Sequence, residues 1–431
     1  MSGSLVADLG LGPETWLLLS FLANLTLFFK FSRVWSVRNL DLLLLYALTP
    51  GLMLLVGNRS PHPWIAFVLL FLGSLLWFAR CVLDLGLSRR PVLEPNLNAA
   101  GLAFLSIGVL ALLLVETVSL PIKEGAARNP ADPSQKPGKR VEPLVEPQPV
   151  ELNRAVGQIL NNTPLPKLLA RNTRPHQILA RVLAALAHIG LMTALIAVGW
   201  RHYDRPISGL AVAASYLISP YTRIALVDPG QVLPAALIVT AILVYKSPWA
   251  SGALLGLAAG WMPACAGLIP LWTGFYRGRG SGRFAMMAML VLVPCVLLGR
   301  NVPLVAVWAR ALGARSIAEA GLFPWAAVPP TGSFWADIDG SYRLPVLIAY
   351  LALALLFSVW PADKNLGELI ALSAALLVTS QFWYLDEGGT LVLLYLPVLL
   401  LMIFRPNLGH RRPPALPASS RAAQGLLASV R

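Results

Sequence analysis

The chain has 431 residues, of which 57% are hydrophobic and 13% charged, and its mean hydropathy is +0.67. Soluble domains carry about 25% charged residues, so this composition excludes a soluble enzyme and a disordered chain. The net charge of +14, from 34 Lys and Arg against 20 Asp and Glu, lies in short hinges between apolar blocks. That distribution excludes a nucleic-acid binder, whose cations form a solvated patch, and fits the positive-inside pattern of membrane proteins.

The first residues, MSGSLVADLGLGPETW, hold no basic segment, and the apolar stretch behind them runs into Lys30 and Arg33 without a small-residue cleavage site. The first helix is therefore expected to be retained rather than removed as a signal peptide. A bilayer crossing needs about 20 apolar residues. Blocks of about that length fall at 15–32, 40–57, 64–84, 98–118, 178–199, 207–220, 231–247, 283–299, 344–360, 366–383 and 390–404. The predicted fold is all-α: a polytopic integral membrane protein of about 11–13 transmembrane helices. One further apolar block, 251–275, is broken at Pro263 and Pro270. It would be a kinked span, two half-helices or a re-entrant pair.

Charge arbitrates that choice. Basic clusters stand at Lys30, Arg33 and Arg38; Arg80, Arg89 and Arg90; Arg201 and Arg205; Arg277, Arg279 and Arg283; and Arg405, Arg411, Arg412 and Arg421. All five reach one side of the membrane only if 251–275 returns to the side it started from. The expected topology then has the N-terminus outside and the C-terminus in the cytoplasm. The chain divides into a front four-helix module (1–118), an outer polar loop (119–177), a main membrane module (178–405) and a disordered cytoplasmic tail (406–431). Within the loop, 129–150 reads as flexible linker and 150–171 as an interfacial helix. A further amphipathic helix is expected around 303–319. Cys81, Cys265 and Cys295 are far apart and in apolar segments, with neither disulfide nor zinc spacing.

No Walker loop, dinucleotide fingerprint, HExxH or paired CxxC occurs. Of five histidines only His188 falls inside a span, where packing and function are equally open readings. Carboxylates near the outer face carry more. Glu116 ends the fourth block, and Glu124 and Asp132 follow in the loop. Glu116 either marks the membrane boundary or serves as a base or metal ligand. The stretch 216–234 brings Arg223, Asp228 and Gln231 to an outer boundary. Its guanidinium fork suits a phosphate, or else Arg223 pairs with Asp228 in a solvated turn.

Gly230-Gln231 at a helix start, then Gly252, Gly256, Ala258, Pro263, Pro270 and Arg277, and finally Phe382-Trp383-Tyr384-Leu385-Asp386 before the last span follow one order. That order resembles the bacterial polyprenyl-phosphate-sugar glycosyltransferases of the GT-C superfamily, in the α-mannosyltransferase-like branch. The likeness covers about 200–400. Met262 stands where the family carries Lys, and the family's acidic residue of the first outer loop would be Glu116, Glu124 or Asp132. The resemblance implies inverting sugar transfer from a polyprenyl-phosphate donor at the outer face of a bacterial plasma membrane. The outer carboxylate would take the acceptor's proton, Arg223 and Arg343 would hold the departing phosphate, and Gln231 would line the pocket. Asp386 and Glu387 would bind sugar hydroxyls or a divalent cation, Mg²⁺ or Mn²⁺ suiting their oxygens, although no cofactor is firmly implied. Membrane lipid is the expected partner, with no nucleic acid. Two other classes stay open. A transporter or lipid flippase needs a midplane cavity and internal repeats. A non-catalytic scaffold needs neither.

Overall fold

Proline opens many of the helices. It lacks the N–H that the first turn cannot use, and its φ is preset for the helix. The computed structural model describes residues 12–56, 63–87, 94–119, 175–224, 226–315, 334–335, 338–384 and 390–413. In the front stand α1 (Pro13–Phe28), α2 (Val37–Leu44), α3 (Thr49–Val56), α4 (Pro63–Leu83) and α5 (Ala99–Ser119). Next come α6 (Pro175–His202), α7 (Pro206–Ile218), α8 (Pro220–Ile224), α9 (Pro229–Leu243) and α10 (Pro248–Trp261). A 3-10 turn (Pro263–Gly267) leads to α11 (Leu268–Phe275), α12 (Ser281–Asn301) and α13 (Pro303–Ala311). The chain closes with α14 (Arg343–Val359), α15 (Leu366–Ser380) and α16 (Val392–Phe404). The fold is all-α, and the described residues contain no strand. The linker, the 150–171 helix and the tail beyond 413 lie outside the described residues.

Six helical stretches are long and apolar enough to cross a membrane: Val37–Leu55, Trp64–Gly86, Ala99–Thr117, Ile178–His202, Ser281–Asn301 and Gly340–Val359. The chain is thus a polytopic membrane protein. The other five blocks form shorter helices, Glu14–Phe28, Pro206–Ile218, Pro229–Leu243, Leu366–Ser380 and Val392–Phe404. A 13-residue helix rises only about 20 Å, short of the roughly 30 Å hydrocarbon layer. Burial explains how such lengths suffice. All of α16 and nearly all of α7, α9 and α15 are enclosed by protein, where non-helical backbone at membrane depth is tolerated. The long helices form the sheath. On α12 only Phe284 and Ala288 are buried, and Met286, Leu290, Val293 and Leu297 face outward.

The broken block doubles back. Helix α10 ends at Trp261, and the extended backbone of Met262 (φ −136°, ψ 109°) leads into Pro263. Three glycines show the direction. Gly252 meets Phe284, Gly256 meets Ala288 and Gly260 meets Cys295, so α10 and α12 run parallel. At Gly252 and Gly256 a Cβ would strike the backbone of α12, which is why glycine is needed there. Two parallel helices joined through residues 262–280 require a return, and the 3-10 turn with α11 supplies it. Ser251 Oγ and Tyr276 OH sit 2.9 Å apart, and Gly280 abuts Pro248, so both ends of the segment meet. Lengths agree: α10 rises about 21 Å, and the 3-10 turn plus α11 descends about 22 Å.

This return gathers the cations at one end. Lys30 Nζ donates to Asn96 Oδ1 at 3.2 Å, and Arg205 contacts Glu94 at 3.4 Å. Arg411 contacts Asp204 at 2.7 Å and its carbonyl accepts from Leu366 N, while Arg279 donates to the Pro413 carbonyl. Deeper lies a chain of four charges. Arg80 holds Asp41 at 2.5 Å and Asp84 at 2.9 Å, and Arg405 closes on Asp84 at 2.5 Å. It ties α2 and α4 to the end of α16. Losing one member of such a buried set costs about 3–5 kcal/mol, since its partners are left uncompensated. Trp35, Trp200, Trp249 and Trp360 are exposed at this basic end, as an interfacial aromatic belt would be.

Candidate functional site

The opposite end is built where α1 begins, α5 ends and α8 leads into α9. Ser219 lets the chain leave α7 in an extended conformation, and Pro220 starts the short α8. Its last turn carries Arg223. The last turn of α5 carries Glu116, and the first turn of α1 carries Trp16. Arg223 Nε donates to Glu116 Oε1 at 2.6 Å, across 107 residues of sequence. The two side chains keep 19% and 17% of their surface exposed. The Trp16 ring lies under the guanidinium, 5.1 Å from its centroid, a cation–π contact.

Asp228 is not the partner of Arg223. Its carboxylate caps α9 by accepting from Gly230 N at 2.8 Å. The first N–H groups of a helix have no partner inside it, and an N-cap Asp supplies one. The chain is tight here, for Gly230 and Gly313 pack backbone to backbone, with Gly313 at φ +89°. Gln231 is buried, and its Oε1 accepts from Leu393 N at 3.2 Å. It fastens α9 to the first turn of α16. Arg343 is buried in a separate cluster. Its Nε and Nη2 donate to the Trp383 carbonyl at 3.3 and 2.9 Å, with Trp335 at 5.8 Å. Asp339, just before α14, accepts from Ser341 N at 2.9 Å, and that N–H lowers its carboxyl from the ordinary value. Glu124, Asp132, Asp386 and Glu387 lie outside the described residues.

Gly252, Gly256 and Ala258 have packing roles. Gly252 and Gly256 seat α10 on α12, and Ala258 is fully buried. His188 bridges α6 and α7, with Nδ1 2.8 Å from Tyr216 OH and Nε2 3.2 Å from the Leu226 carbonyl. Among the described residues no group of three or more His, Cys, Asp or Glu is placed to hold a metal ion.

Sequence reasoning missed the interior polar cluster just beneath Arg223. Asn24 Nδ2 donates to Tyr46 OH at 2.8 Å, Tyr46 OH to the Ser20 carbonyl at 2.8 Å, and Ser215 Oγ to Asn24 Oδ1 at 3.3 Å. Tyr221, two residues before Arg223 on α8, meets Thr49 Oγ1 at 2.9 Å and donates to the Leu45 carbonyl. Asn24, Tyr46, Ser215, Ser219 and Tyr221 surround a cavity of about 10 Å³, room for one water. The available signal was a polar residue, Asn24, midway along an apolar block. No protein-family model, curated protein or solved structure matches this chain.

Proposed function

We propose that the chain is a membrane glycosyltransferase that moves a sugar from a polyprenyl-phosphate donor to an acceptor hydroxyl, with the basic end in the cytoplasm and the Glu116–Arg223 end at the outer face. The supporting observation is the convergence of a front-module carboxylate and a main-module guanidinium at the end opposite the cationic belt. The planar guanidinium fork of arginine suits a phosphate, and positive-inside orientation would put this end outside.

In this reading the pair is a resting arrangement. An arriving donor phosphate competes with Glu116 for the Arg223 fork, and Trp16 keeps the guanidinium in place. The released carboxylate then accepts the proton of the acceptor hydroxyl. The hydroxyl oxygen bonds to the anomeric carbon as the carbon–oxygen bond to phosphate breaks. Arg223 stabilises the charge that collects on the leaving phosphate. The α9 cap at Asp228 and the Gln231 clamp hold the Arg223 turn rigid. A transporter would instead draw on the polar cluster around Asn24, whose one-water cavity offers no passage for a solute.

The test is binding of polyprenyl phosphate to the purified protein in detergent, read as a rise in Tm, because a ligand of the folded state alone raises the midpoint. Wild type should show a saturable rise that Arg223→Ala abolishes. A well-folded wild type with no rise at saturating lipid, or an Arg223→Ala response equal to wild type, would overturn the reading.

A further inference from the structure

At the other end, the hinge between α1 and α2 is held by one buried side chain. Asn39 is fully buried and organises that hinge. Its Nδ2 reaches the carbonyls of Lys30, Arg33 and Val34 at 3.0, 3.1 and 3.2 Å, and its Oδ1 accepts from Lys30 N at 3.1 Å. Ser36 adds an N-cap bond to Asn39 N at 3.3 Å. One side chain thus locks the 3-10 turn Phe31–Arg33.

The locked turn displays apolar side chains. Phe31 is 67% exposed, Val34 51% and Trp35 89%. Apolar groups shown so openly mark a contact surface. Cations surround them. Lys30 and Arg33 belong to the hinge, Arg38 opens α2, and Arg205 approaches through Glu94. Glu94 contacts Arg205 at 3.4 Å and also attracts Arg38. Arg38 Nε and Nη2, though shielded from solvent, have no hydrogen-bond acceptor among the described residues. Buried donors of this kind normally have partners, and a phosphate oxygen is an acceptor of the right charge for them.

We propose that this hinge binds the phosphate headgroup of an anionic phospholipid in the leaflet at the basic end, with Phe31 and Trp35 seated among the upper acyl chains. Trp200, Trp249 and Trp360 are exposed at the same end, where interfacial tryptophans would sit. Tryptophan and phenylalanine insert at that level while neighbouring Lys and Arg attract anionic lipid. The site is independent of the catalytic proposal and lies at the opposite end from Arg223.

The experiment places the full-length protein in phosphatidylcholine nanodiscs with a rising fraction of phosphatidylglycerol and reads Tm. Wild type should show a saturable rise with phosphatidylglycerol and none with inorganic phosphate. Lys30→Gln and Arg33→Gln should each raise the half-saturating fraction about fivefold, the effect of one interfacial cation. Trp35→Ala should raise it too. Arg223→Ala should respond as wild type does, which separates this site from the polyprenyl-phosphate site. Lys246, exposed at the same end, is the charge control, and Lys246→Gln should leave the curve in place. An absent rise, an equal rise with inorganic phosphate, or a Lys246→Gln effect equal to that of Lys30→Gln would overturn the proposal.

Discussion

Arg223 has two carboxylates within its reach along the chain: Asp228 five residues on, and Glu116 at a separation of 107. The fold gives it the distant one. Asp228 stands before Pro229, where α9 opens with unpaired N–H groups, and capping claims it. Each of Glu116, Arg223 and Asp228 was recognisable in the sequence as a polar group at a span end. Which of them pair was not, because long-range partners are set by helix packing and not by spacing. At the basic end Lys364 makes a different point. Its Nζ donates to the Ser358 and Pro361 carbonyls at 3.0 and 2.6 Å, and burial depresses the ammonium to about 8, with Arg277 adding to the drop and Glu368 opposing it. The unfolded chain, near 10.5, therefore holds the proton more tightly than the folded one. Stability should rise as pH goes from about 8 to 10.5, as the proton leaves the folded form first. Unfolding followed across that range should show the rise in wild type and not in Lys364→Met. Parallel curves would contradict it.

At the scale of elements, the eleven apolar blocks were legible because bilayer crossing demands length and hydrophobicity together. Five of them form helices shorter than a crossing, and only the blocks 207–220 and 390–404 were already short in the sequence. Shortness is permitted by burial among other helices, which a hydropathy window does not see. The return of the 251–275 segment was legible from charge alone, since only a doubled segment puts Arg277 beside Lys246. Its mechanism was not: parallel α10 and α12 in backbone contact through Gly252 and Gly256. Gly256→Val should drive a side chain into the Ala288 carbonyl and cost about 1–3 kcal/mol or more. Gly299→Ala, on the same helix α12 and facing open space, should leave Tm unchanged or higher. Equal effects of the two substitutions in thermal unfolding would contradict the parallel contact. The amphipathic helix expected over 303–319 is realised as α13, Pro303–Ala311, with residues 316–333 outside the described set.

For the whole molecule, two chemically different ends follow from one topology. The basic end carries exposed tryptophans and a buried chain of charges that fastens α2 and α4 to the end of α16. The far end carries Trp16, Glu116 and Arg223, partly exposed and backed by the polar cluster around Asn24. The glycosyl transfer proposed for that end requires Arg223 to exchange a carboxylate for a phosphate. The exchange has a signature that a static ion pair lacks: opposite responses from the two partners. The most direct measurement is polyprenyl-phosphate titration of wild type, Arg223→Ala and Glu116→Gln, read by Tm. Removing the carboxylate charge that competes for Arg223 should let Glu116→Gln bind at about tenfold lower lipid concentration, the worth of one charge-assisted hydrogen bond, while Arg223→Ala no longer binds. If Glu116→Gln instead binds more weakly than wild type, or both variants bind as wild type does, the exchange does not occur and this end is not a phosphate site.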